Sequence, residues 1–408
     1  MAKQKTSAIK AKGKTGKILR FAHPFYTNIP PGKRKFIPGV GKRMKDYVAT
    51  KLENIPPPLR EPTITLAEII GQQGITEIEA MKSITFHTVG DTGHENGQMQ
   101  EFVAAAMAQD YNPDHPEKSP AFFLHLGDVN YYDNTDQGYQ AQFYVPYKKY
   151  PGKIIAIPGN HDGELFTWKN TSSGQTTTLE AFQRNFCLPK PGVPPAAGTI
   201  YREMVSQPAV YWYLDAPFVD IVGLYSNVGE TQGFISGGAA GQQQKNWLTK
   251  TLTAIRNSRQ QGVRKALLLA VHHPPFSKGG HNSSDVMLAD IDDSCKKAGI
   301  APDAVLASHS HDYQRFTRFY PLSGKTMEIP YFVVGGGGRG LSPHVTAANG
   351  AREGDHTYDS SLRGYGYLTV TATKQQLSFF LTQVDGTGKK SQFDKRIVVD
   401  LATNTITK

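Results

Sequence analysis

"FFLHLGDVNYYD", residues 122–133, runs from an apolar stretch into a glycine and then into a cluster of oxygen donors, Asp128 and Tyr131 among them. A short apolar run bounded by a turn signal is the pattern of a strand buried on both faces. The same arrangement recurs four more times. "ITFHTV" (84–89) leads to Asp91, "KIIAIP" (153–158) to Asn160, His161 and Asp162, "KALLLAV" (265–271) to His272 and His273, and "DAVLA" (303–307) to His309 and His311. Between these strands lie helical patterns at 97–110, 241–262 and 284–299, the second with Trp247, Leu248, Leu252 and Ile255 along one face. The alternation predicts an α/β fold. Ligands in open α/β sheets bind outside the C-terminal ends of the strands, so five strand ends aim their donors at one place.

The last part of the chain has a different texture. Segments 328–338, 366–373, 376–385 and 395–408 read as consecutive strands with few helices between them, which predicts a mixed or antiparallel second sheet. Residues 163–240, rich in Gly, Thr, Ser and Pro, read as a large insertion carrying the strands "AVYWYL" and "VDIVGLYS". Residues 1–62 read as a basic arm and a Pro-rich linker, closed by the stiff "IPPPLREP" (55–62), ahead of a single domain at 63–408.

The chain carries 45 Lys and Arg against 35 Asp and Glu. Thirteen of the basic residues and none of the acidic ones lie in 1–45, which leaves 32 basic against 35 acidic residues in the rest. Only the arm therefore has the charge to hold an anionic partner, RNA, DNA or an acidic protein. The longest clean apolar run, around "ALLLAV" (266–271), falls far short of the roughly 20 residues of a membrane helix. The basic start has no apolar core of a signal peptide, and the two cysteines, Cys187 and Cys295, form no framework, so a cytoplasmic location is expected.

Carboxylates, a phenol, an amide carbonyl and imidazoles make a mixed oxygen and nitrogen set, suited to Fe, Mn or Zn and not to an iron–sulfur cluster. Several buried carboxylates and histidines without a cation carry a heavy cost in desolvation and repulsion. Two divalent or trivalent ions remove it. Singly, each motif is weak, because a Gly-Asp after a strand is more often a turn and a lone histidine is usually structural. His309 and His311, two apart on an extended segment, point the same way and form a stronger signal. His273 reads as a packed or hydrogen-bonding neighbour, and "GGGGRG" (335–340), which lacks phosphate-loop spacing, as a loop of close approach.

In order, GDTG (90–93), GDVNY (127–131), GNHD (159–162), His272 with Pro274 beyond it, and SHSH (308–311) resemble the motifs of the metallophosphoesterases, the calcineurin-like superfamily. Tyr131, three after the second aspartate, and the "HDYQR" continuation resemble the purple acid phosphatase branch. The resemblance covers roughly residues 83–340 and leaves the arm out. It implies a four-layer α/β/β/α sandwich of two mixed sheets flanked by helices. It also implies that Asp91, Tyr131 and His311 hold one ion, that Asn160, His272 and His309 hold the other, and that Asp128 bridges them. The phenolate of Tyr131 favours Fe(III), with a charge-transfer colour, and the second ion is then Fe(II), Zn or Mn.

By the same resemblance, His161 protonates the leaving alkoxide with Asp162 as its orienting carboxylate, and His281, nine residues after His272, binds phosphate or aids the acid step. His94 is ambiguous, since relatives outside the purple branch use a histidine where this chain has Gly93, and Tyr131 takes that place. Two features depart from the pattern. Ser308 stands where the last motif usually begins with Gly, which a strand-to-loop turn accepts if φ is negative, and neither a fibronectin-like domain nor a signal peptide is evident. The implied activity is hydrolysis of phosphomonoesters by a metal-bound hydroxide at a binuclear centre. The alternatives are the same core acting on phosphodiesters, cyclic nucleotides or nucleic acid ends, and a binding protein that works through its arm.

Overall fold

The segment Ala266–Ala270 shows no alternation because both of its faces are buried. Leu267 and Leu269 pack with Leu248, Leu252 and Ile255 of helix Gly238–Gln260 and with Met287, Ile291 and Cys295 of helix Asp285–Ala298. Leu268 and Ala270 point the other way, into a core shared with Phe86, Phe122, Leu124 and Ile155 of a second sheet. Burial at roughly 2 kcal/mol per large apolar side chain makes this two-sided packing the main source of stability. The structure, a computed structural model, describes residues 55–94, 97–166, 171–227, 233–236, 238–347 and 350–407. The basic arm at 1–45 lies outside the described residues.

The two sheets are both mixed. The seven-stranded sheet runs in the order 405–407, 390–400, 376–384, 365–372, 84–89, 122–125 and 153–156, with the last three strands parallel. The nine-stranded sheet runs 63–65, 212–216, 219–223, 266–270, 304–307, 325–334, 313–322, 356–362 and 352–353. Strands 219–223, 266–270, 304–307 and 325–334 are parallel in turn. Phe332 of one sheet meets Phe379 of the other with ring centroids 4.5 Å apart, and helices cover the outer faces. This is the four-layer sandwich of two mixed sheets expected from the sequence.

One expectation changes. The late strands do not form a sheet of their own: 325–334 joins the strands at 266–270 and 304–307, while 365–372 pairs antiparallel with 84–88. Strand periodicity marks an element and says nothing of its partner. Within the stretch read as an insertion, 163–240, the two expected strands form as Trp212–Ala216 and Val219–Gly223 and sit inside the nine-stranded sheet. Among the described residues no helix is long and apolar enough to cross a membrane.

Helix Gln98–Ala108 is fastened to the outer face of the seven-stranded sheet by Asp110, just beyond its end. The carboxylate accepts from Lys390 Nζ at 2.7 Å and Tyr367 Oη at 2.6 Å, and meets His87 Nε2 at 3.1 Å. Burial by itself would raise the Asp110 carboxyl, but His87, Lys390 and Tyr367 outweigh it and bring it down to about 2. A carboxylate with a depressed pKa stabilises the fold above its unfolded pKa, about 4, and that contribution is lost as pH falls toward 2. Asp110→Asn is therefore expected to cost about 1–2 kcal/mol in denaturant unfolding at pH 7. The gap between variant and parent should close between pH 5 and the acid range. A gap that stays constant would assign the effect to shape and not to charge.

Candidate metal centre

The C-terminal ends of the five strands read from the sequence meet from two sheets. Strands 84–89, 122–125 and 153–156 deliver Asp91, Asp128 with Tyr131, and Asn160; strands 266–270 and 304–307 deliver His272 and the His309–His311 pair. Tyr131 Oη lies 3.1 Å from Asp91 Oδ1 and 3.2 Å from His311 Nε2, and His311 Nε2 is 3.7 Å from Asp91 Oδ1. His272 Nε2 lies 3.2 Å from Asn160 Oδ1 and 3.4 Å from Asp128 Oδ2. His309 completes this second group, with donor atoms of Asp128, His272 and His309 all within 4.8 Å of one another. Seven side chains thus form two sets, with Asp128 in contact with the second and its charge acting on Asp91 and Tyr131 of the first.

With its imidazoles neutral and its carboxylates ionised, the site has fewer hydrogens than acceptors. His311 Nδ1 donates to Gly340 O at 2.7 Å, so its Nε2 presents a lone pair to the single phenol hydrogen of Tyr131, which Asp91 also faces. His272 Nδ1 donates to Leu126 O at 2.9 Å, so its Nε2 faces two oxygen acceptors with at most one hydrogen to share between them. Asp128 Oδ2 is buried without a hydrogen-bond partner. Ligands about 2.0–2.2 Å from one ion lie about 3–3.5 Å from each other, close to the spacings seen in both sets. The residues present fit two metal ions.

Charge points the same way. Burial, opposed by His272 and reinforced by Asp128, raises the Asp91 carboxyl to about 7. Asp128 also suffers burial, but His272 and His161 outweigh it and hold its carboxylate below the usual range. In return Asp128 overcomes the burial of His272 and raises that ring to about 9. Burial, Asp128 and Asp91 push the Tyr131 phenol well above its ordinary range, so its ionisation needs a cation close by. His309 and His311 are driven down by burial, His311 to about 3, and so keep lone pairs for ligation. The site favours positive charge at its centre, and a proton serves only one set.

The remaining predicted residues divide. His161 reaches the site, its ring centroid 4.4 Å from that of Tyr131 and its backbone N–H donating to Asp128 Oδ1 at 2.9 Å. His281 also reaches it, 4.1 Å from the His309 ring and 5.9 Å from His311. Asp162 does not face His161. Its carboxylate accepts from the backbone of Gly159 at 2.8 Å, Val129 at 3.2 Å and Asn130 at 3.3 Å, beneath the two loops. The carboxylate beside His161 is Glu164, whose Oε1 makes a 2.8 Å ion-pair contact with Nδ1. His273 is a buried neighbour, its Nδ1 2.9 Å from Ser226 Oγ and its ring 4.4 Å from His309. His94 Nδ1 accepts from Gly97 N.

Supporting residues appear that no motif announces. Gln142, in the π-helical turn Gln140–Tyr144, accepts from Tyr131 N and donates to Tyr131 O, both at 3.1 Å. Such turns are frequent at functional sites. Ser342 Oγ accepts from His311 N at 3.2 Å. The expected close-approach loop is real: a Cβ on Gly335 would stand 1.9 Å from Ser310 O and 2.8 Å from Asp91 Oδ2. The Gln142 clamp on Tyr131 is a tertiary contact, which sequence spacing does not carry.

A family model described as calcineurin-like phosphoesterase matches residues 84–313. No curated protein matches the chain in sequence. In fold it is similar to purple acid phosphatase PPD1 from yellow lupin (Lupinus luteus) seeds, with TM-score 0.51 and 15% identity over 76% of this chain and 53% of that one. The chain thus spans about half the length of the lupin protein. GAP50, the anchor in the inner membrane complex of Plasmodium, is similar at TM-score 0.50 and 11% identity, over 77% of this chain and 90% of that one. PhoD is similar at TM-score 0.50 and 14% identity, over 86% and 73%. At these identities the likeness is one of fold. The family model covers more than half of the chain and all five site-bearing strands, and the chain belongs to the calcineurin-like phosphoesterase family.

Proposed function

We propose that the chain hydrolyses phosphomonoesters at a centre of two metal ions, with Asp91, Tyr131 and His311 around one, Asn160, His272 and His309 around the other, and Asp128 between them. The observation that carries this reading is the division of the donors into two close sets, with a buried carboxylate, Asp128, that keeps one oxygen without a hydrogen bond and acts electrostatically on both. When bound, two such ions activate water, fix the phosphate oxygens and absorb negative charge during in-line displacement. The Tyr131 set, with its hard phenolate, suits Fe(III), and the other set suits Fe(II), Zn or Mn.

The chain's own residues supply the rest. His161, held by Glu164 on its Nδ1 side, tilted against Tyr131 and edge-on to Tyr132, directs its other nitrogen away from that carboxylate and supplies the proton for the leaving oxygen. His281 stands over both rings of the HxH pair on a half-exposed loop and binds the phosphate from the solvent side. Bonds from Lys278 N to Gln314 Oε1 at 2.7 Å and the bridge between Gly279 and His344 hold that loop down.

Metal analysis with a visible spectrum, followed by kinetics on mono- and diester substrates, tests this. Purified protein should carry two metal equivalents and turn over monoesters faster than diesters. Asp128→Asn should lose at least one equivalent and more than about 100-fold in kcat. Wild-type turnover by that variant would sink the reading. Gln142→Leu frees the Tyr131 backbone without touching a donor atom. It should weaken iron retention by about 10-fold and diminish the visible band in proportion, while a zinc equivalent stays bound. An unchanged band would show that the clamp does not hold the phenol.

A further inference from the structure

Ser308 is the residue at which the chain leaves its motif, and its hydroxyl lies where the two sheets close. Oγ donates to Leu126 O at 2.7 Å and sits 3.0 Å from His272 Nδ1. Leu126 belongs to the loop after strand 122–125 of one sheet, whereas Ser308 and His272 end neighbouring strands of the other. The backbone N–H of Ser308 also donates to His272 O at 3.0 Å, so the two residues are joined through main chain and side chain together. Space has been left for the hydroxymethyl group. A Cβ on Gly90 would come within 2.4 Å of Ser308 Oγ and 2.6 Å of its Cβ.

The proton arithmetic is one-way. The carbonyl of Leu126 only accepts, so it takes the Ser308 hydrogen, and Oγ then turns its lone pairs to His272 Nδ1. The ring nitrogen must carry a hydrogen, shared between Leu126 O and Ser308 Oγ. In the neutral ring that a metal requires, Nε2 is then the lone-pair atom, facing Asn160 Oδ1 and Asp128 Oδ2. We propose that Ser308 is a positioning residue that locks His272 in its Nδ1–H tautomer and so fixes Nε2 for the metal held by Asn160, His272 and His309. The proposal rests on the assignment of those three residues to one metal. Partners of this kind on the far nitrogen of a ligating histidine are typically worth about 10–100-fold in metal affinity.

Ser308→Ala keeps the Cβ and removes the hydroxyl, and Ser308→Gly restores the smaller residue with Leu126 O as the only acceptor. Zinc alone is titrated into the metal-stripped full chain by chelator competition, and the ring nitrogens of His272 are followed by 15N resonance in the zinc-loaded protein. The parent should bind two equivalents, and both variants should bind one of them about 10-fold more weakly, with a faster-exchanging His272 Nδ1 hydrogen. Thermal unfolding of the stripped proteins checks that each variant is folded; should Ala fail to fold, Gly carries the comparison. Equal zinc affinities in parent and variants would overturn the role of Ser308. A parent that binds no zinc at this set would instead overturn the metal assignment beneath it.

Discussion

Four donors of the centre are each tied to the main chain through one atom and present the other to the shared space. Asp91 takes His309 N–H on Oδ2, Asp128 takes His161 N–H on Oδ1, and the two histidines give their Nδ1 hydrogens to Leu126 O and Gly340 O. The rest of the structure follows from that constraint. Each tie crosses between loops, so an atom can be held to a few tenths of an ångström only when every loop is anchored on a strand of a rigid sheet. The double-sided burial of the central strands supplies the rigidity. A site built this way needs no ligand to arrange its parts, because the backbone has already oriented them.

The loops bend sharply to make these ties. Asp91, Asp128 and His309 adopt left-handed backbone angles, with φ of 54°, 52° and 69°, and Tyr132 beside Tyr131 has φ of 62°. A non-glycine residue in that region costs about 1–3 kcal/mol and persists where its surroundings over-determine it. Three such residues among seven donors concentrate strain at the centre. The tight bonds that follow, such as His309 N to Asp91 Oδ2 at 2.7 Å, offset part of it. Ser308 is not among the residues with positive φ, so a side chain is accepted there; the left-handed step falls on His309 instead.

The apolar strands and their polar ends were readable because each obeys a local rule: a buried run, a turn, a donor. Strand Tyr313–Leu322 was not, since its Gln314, Arg315 and Arg318 look like surface yet are buried. Arg315 is neutralised by Asp359 and Asp394, and Arg318 by Asp292 and Asp355. All four partners are distant in sequence, so the pattern of a strand is hidden by long-range ion pairs. The helix Leu66–Met81 was hidden differently, by Gly71 at φ of 77°, which breaks its period into two pieces. Division of the late strands between the sheets escapes sequence for the same reason as the Gln142 clamp: partner choice is a tertiary property.

The carboxylates around His161 show how local geometry redistributes a role. Asp162 directly follows His161 and is the nearest acid in sequence, but consecutive residues of a 3₁₀ turn point in different directions, whereas residues three apart eclipse. The turn His161–Gly163 therefore sends Asp162 inward and returns Glu164 to the side of His161. Turned inward, Asp162 receives three backbone N–H groups from the GDVNY and GNHD loops and holds them together. Asp162 cannot take the place of Glu164: a carboxylate that reached His161 from position 162 would leave those three donors buried without an acceptor, a loss of several hydrogen bonds at the base of the centre.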